Sequence, residues 1–378
     1  MREDLGPAAR RISDVLRSRG PKTRSELVSL SGLSRPTVTN ALAELSRLDL
    51  VAEEQGLPAG GRPAAVVRLT RLAGLAVGVD IGRRHVRVAV ADLGHDVLAE
   101  NYTVLDIDAD DSPHQVLDLA VTQVDNALSA VSATRDEIVG VGLGIPAPVT
   151  RDGRIGSPTL LPAWASLVPR RELSDRLKIS GVRVDNDANL GALAEHMWGS
   201  GRDCADLVYV KLATGIGAGI VLDGRLYRGS VGTAGELGHV TLDASGSLCR
   251  CGNRGCVELL AGGRALLAQA RQTHPWMRDL DELAALAARG DPGCRRLLAD
   301  SGRHLGFALG GLLNLINPDR IIVGGFTYSP ELLLEPIERG LSETAMAAAV
   351  DAVEVVTASL GERASALGGV ALALGVDT

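Results

Sequence analysis

The spacing of apolar residues in the first fifty positions predicts three short helices. The first ends at Gly20-Pro21, where a glycine and a proline stop the helical pattern. The second covers about residues 25–31, and the third begins at Ser34, a good N-cap, with apolar residues every three to four positions through Leu45. Two helices joined by a short glycine turn predict a helix-turn-helix, whose second helix enters the major groove of DNA.

Two strand-like runs follow the third helix, at residues 50–53 and 65–69, and enclose a segment rich in glycine and proline from Gly56 to Pro63. This hairpin predicts a wing. The candidate DNA contacts are short polar residues at the start of the third helix and one arginine at the wing tip: Ser34, Arg35, Thr37, Thr39, Asn40 and Arg62. The alternative is a winged helix that is used only for protein contacts.

From residue 74 onward the apolar pattern alternates between strands and helices. The predicted strands are 74–81, 86–92, 138–143, 207–212 and 321–323, and the predicted helices are 113–130, 188–198, 262–272 and 302–316. The apolar stretch 366–376 is typical of a packed terminal helix. Alternating strands and helices indicate an α/β fold, in which ligands bind where strands end and helices begin.

Composition and charge narrow the class of protein. The chain has 378 residues with 46% hydrophobic content, enough for two or three domains with cores of their own. It has no uncharged apolar run of about 18 residues and no secretory signal, so we expect a soluble cytoplasmic protein with no membrane contact. Residues 1–71 carry 12 Lys and Arg against 8 Asp and Glu, whereas residues 72–378 carry 27 against 38. A basic head on an acidic body suits DNA binding, although a merely solvated helical face is the alternative.

Four potential metal ligands lie within eighteen residues: His239, Cys249, Cys251 and Cys256. Three cysteines and one histidine form a closed tetrahedral set for structural zinc, with no position left for water. A disulfide does not suit an odd number of cysteines, and ordinary buried or redox cysteines remain the alternative. Cys204 and Cys294 lie outside the set, give no functional signal and are expected to be small packed residues.

Three glycine-rich segments follow predicted strands. Their candidate phosphate-binding residues are Asp80, Gly82, Thr214, Gly215, Gly217, Gly324 and Gly325. Backbone amides can cradle phosphates there because glycine has no Cβ. Each segment alone is a weak signal, since glycine turns are common in loops. Taken in order, with Asn186-Asp-Ala-Asn189 between the first two, they outline an actin-like phosphotransferase cleft.

The whole chain resembles the repressors of the ROK family, which comprises repressors, open reading frames and sugar kinases. The most specific match is Glu236-Leu-Gly-His239 through Cys249-Arg-Cys251-Gly-Asn-Arg-Gly-Cys256-Val-Glu258. The resemblance implies a winged helix-turn-helix head at 1–71 and an actin-like (ribonuclease H-like), two-lobed sugar-kinase-type α/β domain at 74–378. The small lobe would cover about 74–185 with a C-terminal helix at about 362–378, and the large lobe about 186–361.

The same resemblance implies a set of sugar-contacting residues: Asn186, Asp187, Glu236, His239 and Glu258. Independently of it, carboxylates and amides suit sugar hydroxyls, each of which both donates and accepts hydrogen bonds. His239 would place one ring nitrogen on zinc and the other toward a sugar hydroxyl. Surface salt bridges are the alternative role for the two glutamates.

Two departures distinguish the chain from the family's kinases. Where those typically have Asp-Ile-Gly-Gly-Thr-Lys at the first turn, this chain has Asp80-Ile-Gly-Arg-Arg-His85, which puts ATP binding in doubt although the arginines could attract phosphate. Leu160 stands where the kinases usually have a sugar-binding asparagine. Asp187, the family's catalytic base, is present.

The sequence therefore favours a sugar-responsive DNA-binding transcriptional regulator rather than an enzyme. A homodimer or dimer of dimers would hold two heads on an operator in double-stranded DNA, and a sugar or sugar phosphate would change operator affinity. Repression is expected, although some family members activate. The alternatives are an ATP-dependent sugar kinase, alone or alongside DNA binding, and a dimerisation scaffold that binds no ligand.

Overall fold

The structure, a computed structural model, describes residues 5–55, 65–325 and 331–376. The chain divides into two compact units. Unit 1 comprises Met1–Leu143, Arg170–Arg183 and Gly369–Thr378, and unit 2 comprises Gly144–Pro169 and Val184–Gly368. The predicted head and the first part of the predicted body thus share one unit. The predicted boundaries of the head and of the lobes stay a prediction.

The head at the start of unit 1 contains three helices and a small antiparallel sheet. Its elements are α1 (Pro7–Arg19), β1 (Lys22–Thr23), α2 (Arg24–Ser31), α3 (Arg35–Arg47), β2 (Val51–Gln55) and β3 (Ala65–Leu69). The strands follow the order β1-β3-β2. The three helices and the hairpin agree with the sequence prediction. Strand β1 was not predicted, because two residues are too few to show a strand pattern.

Local signals fix the ends of the two central helices in the head. The side chain of Thr23 caps α2 together with Glu26 in a reciprocal capping box. Gly32 ends α2 in the left-handed conformation, with φ of 66°, which glycine adopts without strain. Ser34 then caps α3, and the apolar side chains of α3 point into the core of the head. The turn between α2 and α3 is therefore specified residue by residue.

A five-stranded sheet forms the rest of unit 1 and extends at two strand ends into unit 2. Its elements, with two helices, are β4 (Leu75–Ile81), β5 (His85–Asp92), β6 (Val97–Val104), α4 (Pro113–Ala130), β7 (Ile138–Ile145), α5 (Pro169–Leu177) and β8 (Val182–Asn186). The strand order is β6-β5-β4-β7-β8. Strand β4 is buried along its whole length, and its sequence is apolar except for Asp80.

Within unit 1, the head contacts the β5–β6 turn through what we call the head–lobe joint: Arg17, Arg68, Asp92, His95 and Asp96. The Nε2 atom of His95 lies 2.6 Å from the Arg17 carbonyl oxygen at the end of α1. Arg68 of β3 pairs with Asp92 at 3.2 Å and with Asp96. Both the helices and the wing sheet of the head are thus bonded to one turn of the neighbouring sheet.

Unit 2 is built on a second five-stranded sheet. Its elements, with the terminal helix α13 that unit 1 shares, are α6 (Asp187–Trp198), β9 (Leu207–Leu212), β10 (Ile216–Leu222), β11 (Arg225–Leu226), α7 (Val257–Ala261), α8 (Gly263–Ala270), α9 (Leu280–Ala288), α10 (Pro292–Ile316), β12 (Arg320–Gly324), α11 (Glu331–Thr344), α12 (Ala347–Ala352), β13 (Glu354–Thr357) and α13 (Ala364–Leu374). The order is β11-β10-β9-β12-β13, with β9, β12 and β13 parallel and β10 antiparallel to β9.

The predicted strands and helices of the body are present, with three differences of note. Strand β10 occupies Ile216–Leu222, where a glycine-rich turn was expected. Helix α10 begins at Pro292, ten residues before the predicted start, because Asp291 caps it. Four strands, β6, β8, β11 and β13, and five helices, α5, α7, α9, α11 and α12, were not predicted. No helix in the described ranges is both long enough and apolar enough to cross a membrane.

Candidate functional site

Helix α3 exposes a polar face in the head. Ser34, Arg35, Thr39 and Asn40 are exposed and Thr37 is half-buried. The Thr37 amide donates to the Ser34 hydroxyl oxygen at 3.3 Å, and the Thr39 hydroxyl donates to the Arg35 carbonyl at 3.0 Å. Arg35 and Asn40 therefore offer the longest polar side chains on this face. Arg62, the predicted contact at the wing tip, lies outside the described residues.

The four predicted metal ligands come together in unit 2. One donor atom from each of His239, Cys249, Cys251 and Cys256 lies within 4.8 Å of all the others. The distance from Cys249 Sγ to His239 Nδ1 is 3.7 Å, and the distance from Cys251 Sγ to Cys256 Sγ is also 3.7 Å. Thiolates bound tetrahedrally to zinc at 2.3 Å lie about 3.8 Å apart. The cluster therefore has the donors and the spacing to hold a metal ion.

The two ring nitrogens of His239 face different groups. Nδ1 faces Cys249, whereas Nε2 lies 3.9 Å from Oε2 of Glu236. Burial lowers the pKa of His239, with the positive charge of Arg250 acting in the same direction against the opposing effect of Glu258. The imidazole is therefore kept neutral, which is the form that binds a metal. His239 connects the cysteine cluster to the glutamate beside it.

Two carboxylates of unit 2 lie close enough to Glu236 to affect its titration. Burial raises the pKa of Glu236 to about 7, and the negative charges of Asp187 and Glu258 contribute to this shift. Asp187 and Glu258 are each only 14% exposed at the side chain. Because its pKa is raised, Glu236 takes up a proton more readily than an ordinary glutamate and can then donate as well as accept a hydrogen bond, as a carbohydrate hydroxyl requires.

Two of these carboxylates are held by cations. Lys211 Nζ donates to Asp187 Oδ2 at 2.8 Å and to the Ser365 hydroxyl at 3.0 Å. Glu258 pairs with Arg250 at 3.3 Å and accepts from the Ile216 amide at 3.2 Å. Because Arg250 lies between Cys249 and Cys251, the ion pair with Glu258 links the metal-ligand loop to the turn before β10.

Asn186 is engaged in fixing helix α6. Its side-chain oxygen accepts from the amide of Ala188 at 2.8 Å, and its side-chain nitrogen donates to the Ala147 carbonyl at 3.0 Å. This N-cap places Asp187 at the first position of the helix. Asn186 therefore positions the carboxylate, and a direct contact from Asn186 to a sugar would use its second side-chain N–H.

In unit 1, the predicted phosphate turn is a tight hairpin that His85 fills. The imidazole Nε2 lies 3.0 Å from Oδ2 of the buried Asp80, and a Cβ at Gly82 would lie 2.2 Å from the His85 ring. Arg83, one of the two arginines expected to attract phosphate, pairs with Asp108 at 2.9 Å. The His85 ring and the ion pair of Arg83 with Asp108 therefore fill this turn with contacts that the chain makes to itself.

The glycines of unit 2 have different surroundings. Thr214 and Gly215 form the turn between β9 and β10, whereas Gly217 lies inside β10. A Cβ at Gly217 would lie 3.0 Å from the Ala188 side chain, so this glycine allows α6 to approach the strand. Gly324 packs against Tyr209, and Gly325 has φ of 80° beside the Leu212 carbonyl. Packing accounts for Gly217 and Gly324 without a ligand.

The sequence analysis missed Lys211 and Arg250. Lys211 is the one charged residue in the otherwise apolar strand Leu207–Leu212, and this was an available signal. Arg250 lies between two ligands of the proposed metal. Its pairing with Glu258 depends on how the loop folds, which no spacing in the sequence reports.

Comparison with known proteins identifies relatives that match most of the chain. The ROK family profile matches residues 76–376. The chain is 29% identical over 359 residues to the xylose repressor of Bacillus subtilis (strain 168), covering 94% of this chain and 92% of the relative.

Two solved structures are similar in fold and differ in how much of this chain they match. The crystal structure of a ROK family transcriptional regulator, a homolog of the Escherichia coli MLC protein, matches with a TM-score of 0.76 and 27% identity, covering 97% of this chain and 95% of that one. A ROK family glucokinase from Streptomyces griseus, in complex with glucose and AMPPNP, matches with a TM-score of 0.68 and 28% identity, covering 79% of this chain and 99% of that one.

Proposed function

The chain belongs to the ROK family, and from this premise we propose that it is a sugar-responsive DNA-binding transcriptional regulator that acts as a repressor. The observation that carries the proposal is the combination, in one polypeptide, of a winged helix-turn-helix head with a three-carboxylate cluster in the body. The glucokinase match covers 79% of this chain, whereas the regulator match covers 97%. We attribute this difference in coverage to the head, which a regulator would have and a glucokinase would lack.

The head would bind double-stranded operator DNA through α3, with Arg35 and Asn40 reaching base edges and Ser34, Thr37 and Thr39 closer to phosphates. Arginine pairs well with guanine and asparagine with adenine in the major groove. Arg62 would enter the minor groove from the wing. The net positive charge of the first 71 residues supplies the salt-dependent, non-specific part of the affinity.

The effector would be a sugar or sugar phosphate held by Asp187, Glu236, His239 and Glu258, with Asn186 in support. A sugar presents several hydroxyls in fixed directions, and these residues offer partly buried carboxylate and imidazole groups. The relative named a xylose repressor supports a sugar as the class of ligand. A homodimer or dimer of dimers would present two heads, so that a small change in their spacing weakens simultaneous binding of two half-sites.

We propose structural zinc as the metal of the cysteine cluster, with His239, Cys249, Cys251 and Cys256 as its four ligands. Mixed thiolate and imidazole donors favour zinc, and four protein ligands leave no position for a substrate. When bound, the metal would fix the loop that carries Arg250. Arg250 in turn holds Glu258, and His239 faces Glu236.

An operator selected from random duplex DNA provides the test. Fluorescence anisotropy at fixed salt would measure the affinity of the full chain for that duplex, alone and with each member of a panel of free and phosphorylated sugars. One sugar is expected to weaken operator binding about 5- to 150-fold, the usual range of allosteric coupling. A sugar that binds by calorimetry yet leaves operator affinity unchanged would contradict the coupling. If no sugar gives a thermal shift, the body is only a dimerisation scaffold.

Two variants separate the two sites. Arg35→Ala with Asn40→Ala should abolish selective operator binding and keep the sugar-induced thermal shift. Glu258→Gln should keep operator binding and weaken the response to sugar, because the amide cannot form the ion pair with Arg250.

The second candidate function is ATP-dependent sugar phosphorylation, favoured by the presence of Asp187 and by the match to a glucokinase. Two contacts weigh against it: His85 lies against Gly82 in the phosphate turn, and Lys211 pairs with Asp187. A coupled ADP-release assay on the wild type and on Asp187→Asn decides between the two functions. We expect no turnover that depends on Asp187.

A further inference from the structure

Three residues outside the sugar site and the cysteine cluster bring metal-binding atoms together in unit 2. His274 lies between α8 and α9, Asp291 caps α10, and Cys294 lies in the first turn of α10. One donor atom from each lies within 4.8 Å of the others. The Cys294 side chain is buried, and those of His274 and Asp291 are mostly so. The sequence analysis did not identify this group, because it depends on how α8 and α9 pack against α10.

The hydrogen bonds of Thr273 set the orientation of the His274 ring. The Thr273 hydroxyl donates its one proton to the Ala270 carbonyl at 3.3 Å. Its oxygen also lies 2.9 Å from His274 Nδ1, so Thr273 holds one side of the ring while Nε2 faces Asp291. A hydroxyl that fixes the far nitrogen is the usual outer-shell support of a histidine ligand.

The other ring nitrogen of His274 faces a carboxylate. Nε2 of His274 lies 3.4 Å from Oδ2 of Asp291, whose other oxygen accepts from the Cys294 amide at 2.8 Å. Two ligands bound tetrahedrally to zinc at about 2.1 Å lie about 3.4 Å apart. The distance between Nε2 and Oδ2 is thus that between two zinc ligands.

We infer that His274, Asp291 and Cys294 form a second metal site of this chain, which takes a zinc-like divalent cation through imidazole, carboxylate and thiolate, with water as the fourth ligand. Nitrogen and sulfur donors favour zinc over magnesium or calcium. Binding would replace the thiol proton of Cys294, which is released to solvent.

This second site should bind zinc more weakly than the cysteine cluster. It has three protein ligands instead of four, and the positive end of the α10 dipole opposes a cation at Asp291. A chelator added stepwise should therefore remove this metal first. The bound cation would tie the α8–α9 connection to the start of α10, the longest helix of unit 2.

Metal counting on the zinc-loaded full chain is the test, by native mass spectrometry with elemental analysis. We expect two zinc ions per chain in the wild type and one each in His274→Gln and in Cys251→Ser, with none retained when both changes are combined. Because the His274 side chain is mostly buried, a thermal melt in chelator, matched to the wild type, checks that His274→Gln still folds.

An optical signal assigns the metal to the site. The Trp276 ring lies 5.1 Å from the His274 ring, edge-on. Cobalt added to Cys251→Ser should quench the fluorescence of Trp276, and the quenching should disappear in His274→Gln and in Trp276→Phe backgrounds. One zinc per wild-type chain, or a count that His274→Gln leaves unchanged, would overturn the inference.

Discussion

A glycine that is needed for packing should not tolerate an added methyl group, even when no ligand is bound. A Cβ at Gly219 of β10 would lie 2.6 Å from the Ala188 carbonyl oxygen and 2.6 Å from the Ala192 side chain, so helix α6 would have to shift. Gly219→Ala should therefore lower the free energy of unfolding by about 1–3 kcal/mol, the usual cost of overpacking. Thermal unfolding without ligand measures it.

Gly311 offers the matched control, because it is exposed in α10 and a Cβ there would meet nothing within 4 Å. Gly311→Ala should stabilise the chain by about 0.5–1 kcal/mol through helix propensity. Equal melting temperatures for Gly219→Ala and the wild type would show that the strand does not need this glycine for packing.

His95 gives the head–lobe joint a pH dependence. Burial lowers its pKa, Lys22 and Arg68 lower it further, and the Arg17 carbonyl and Asp96 oppose them. The folded chain thus binds a proton at His95 less readily than the unfolded chain, whose histidine titrates near 6.5. Stability is complete above that value and falls as the pH drops below it.

The comparison of wild type with His95→Gln isolates this contribution from the other histidines. Glutamine keeps an N–H for the Arg17 carbonyl and does not titrate in this range. The melting temperature of the wild type should fall more between pH 7.5 and 5.5 than that of the variant. Parallel curves for the two proteins would assign the acid sensitivity to other groups.

At the scale of elements, the loop that carries the cysteines and helix α7 should both be affected by the loss of zinc. Cys251→Ser is expected to release the zinc and to abolish the sugar response together, because Arg250 and Glu258 lose their common anchor. Elemental analysis and calorimetry with the effector measure the two losses. Cys204→Ser, a change at a buried cysteine outside the cluster, should keep both properties. Full sugar affinity in the zinc-free variant would show that the cluster stabilises only its own loop.

The elements also show how far sequence reasoning reaches. Helix α3 was predictable because its turn, its cap and its buried face are all local features between Gly32 and Leu45. The cysteine cluster was predictable because its ligands are close in sequence. The bond from Lys211 to Asp187 joins residues 24 positions apart, and the His274 group depends on the packing of α8 against α10. Contacts of this kind depend on the tertiary structure, which a pattern along the sequence does not describe.

At the scale of the whole molecule, the net charge has opposite signs in the predicted head and in the rest of the chain. Residues 1–71 have a net charge of +4 and residues 72–378 a net charge of −11, from counts of 12 against 8 and 27 against 38. The excess of negative charge in residues 72–378 repels DNA, so we expect the basic first 71 residues to make the contacts with DNA. The head–lobe joint is bonded to both α1 and the wing sheet, so a movement of the β5–β6 turn would reach both.

If sugar and operator DNA are coupled through this molecule, the coupling must be reciprocal. A sugar that weakens operator affinity by some factor must itself be bound more weakly, by the same factor, when the chain is saturated with operator. Calorimetric titration of the sugar into free protein and into the protein–operator complex gives one estimate, and anisotropy with and without sugar gives the other. The two factors should agree, and Arg68→Ala, which removes the ion pairs of the joint with Asp92 and Asp96, should reduce both together. A sugar affinity that saturating operator leaves unchanged would show that the ligand does not act through operator binding at all.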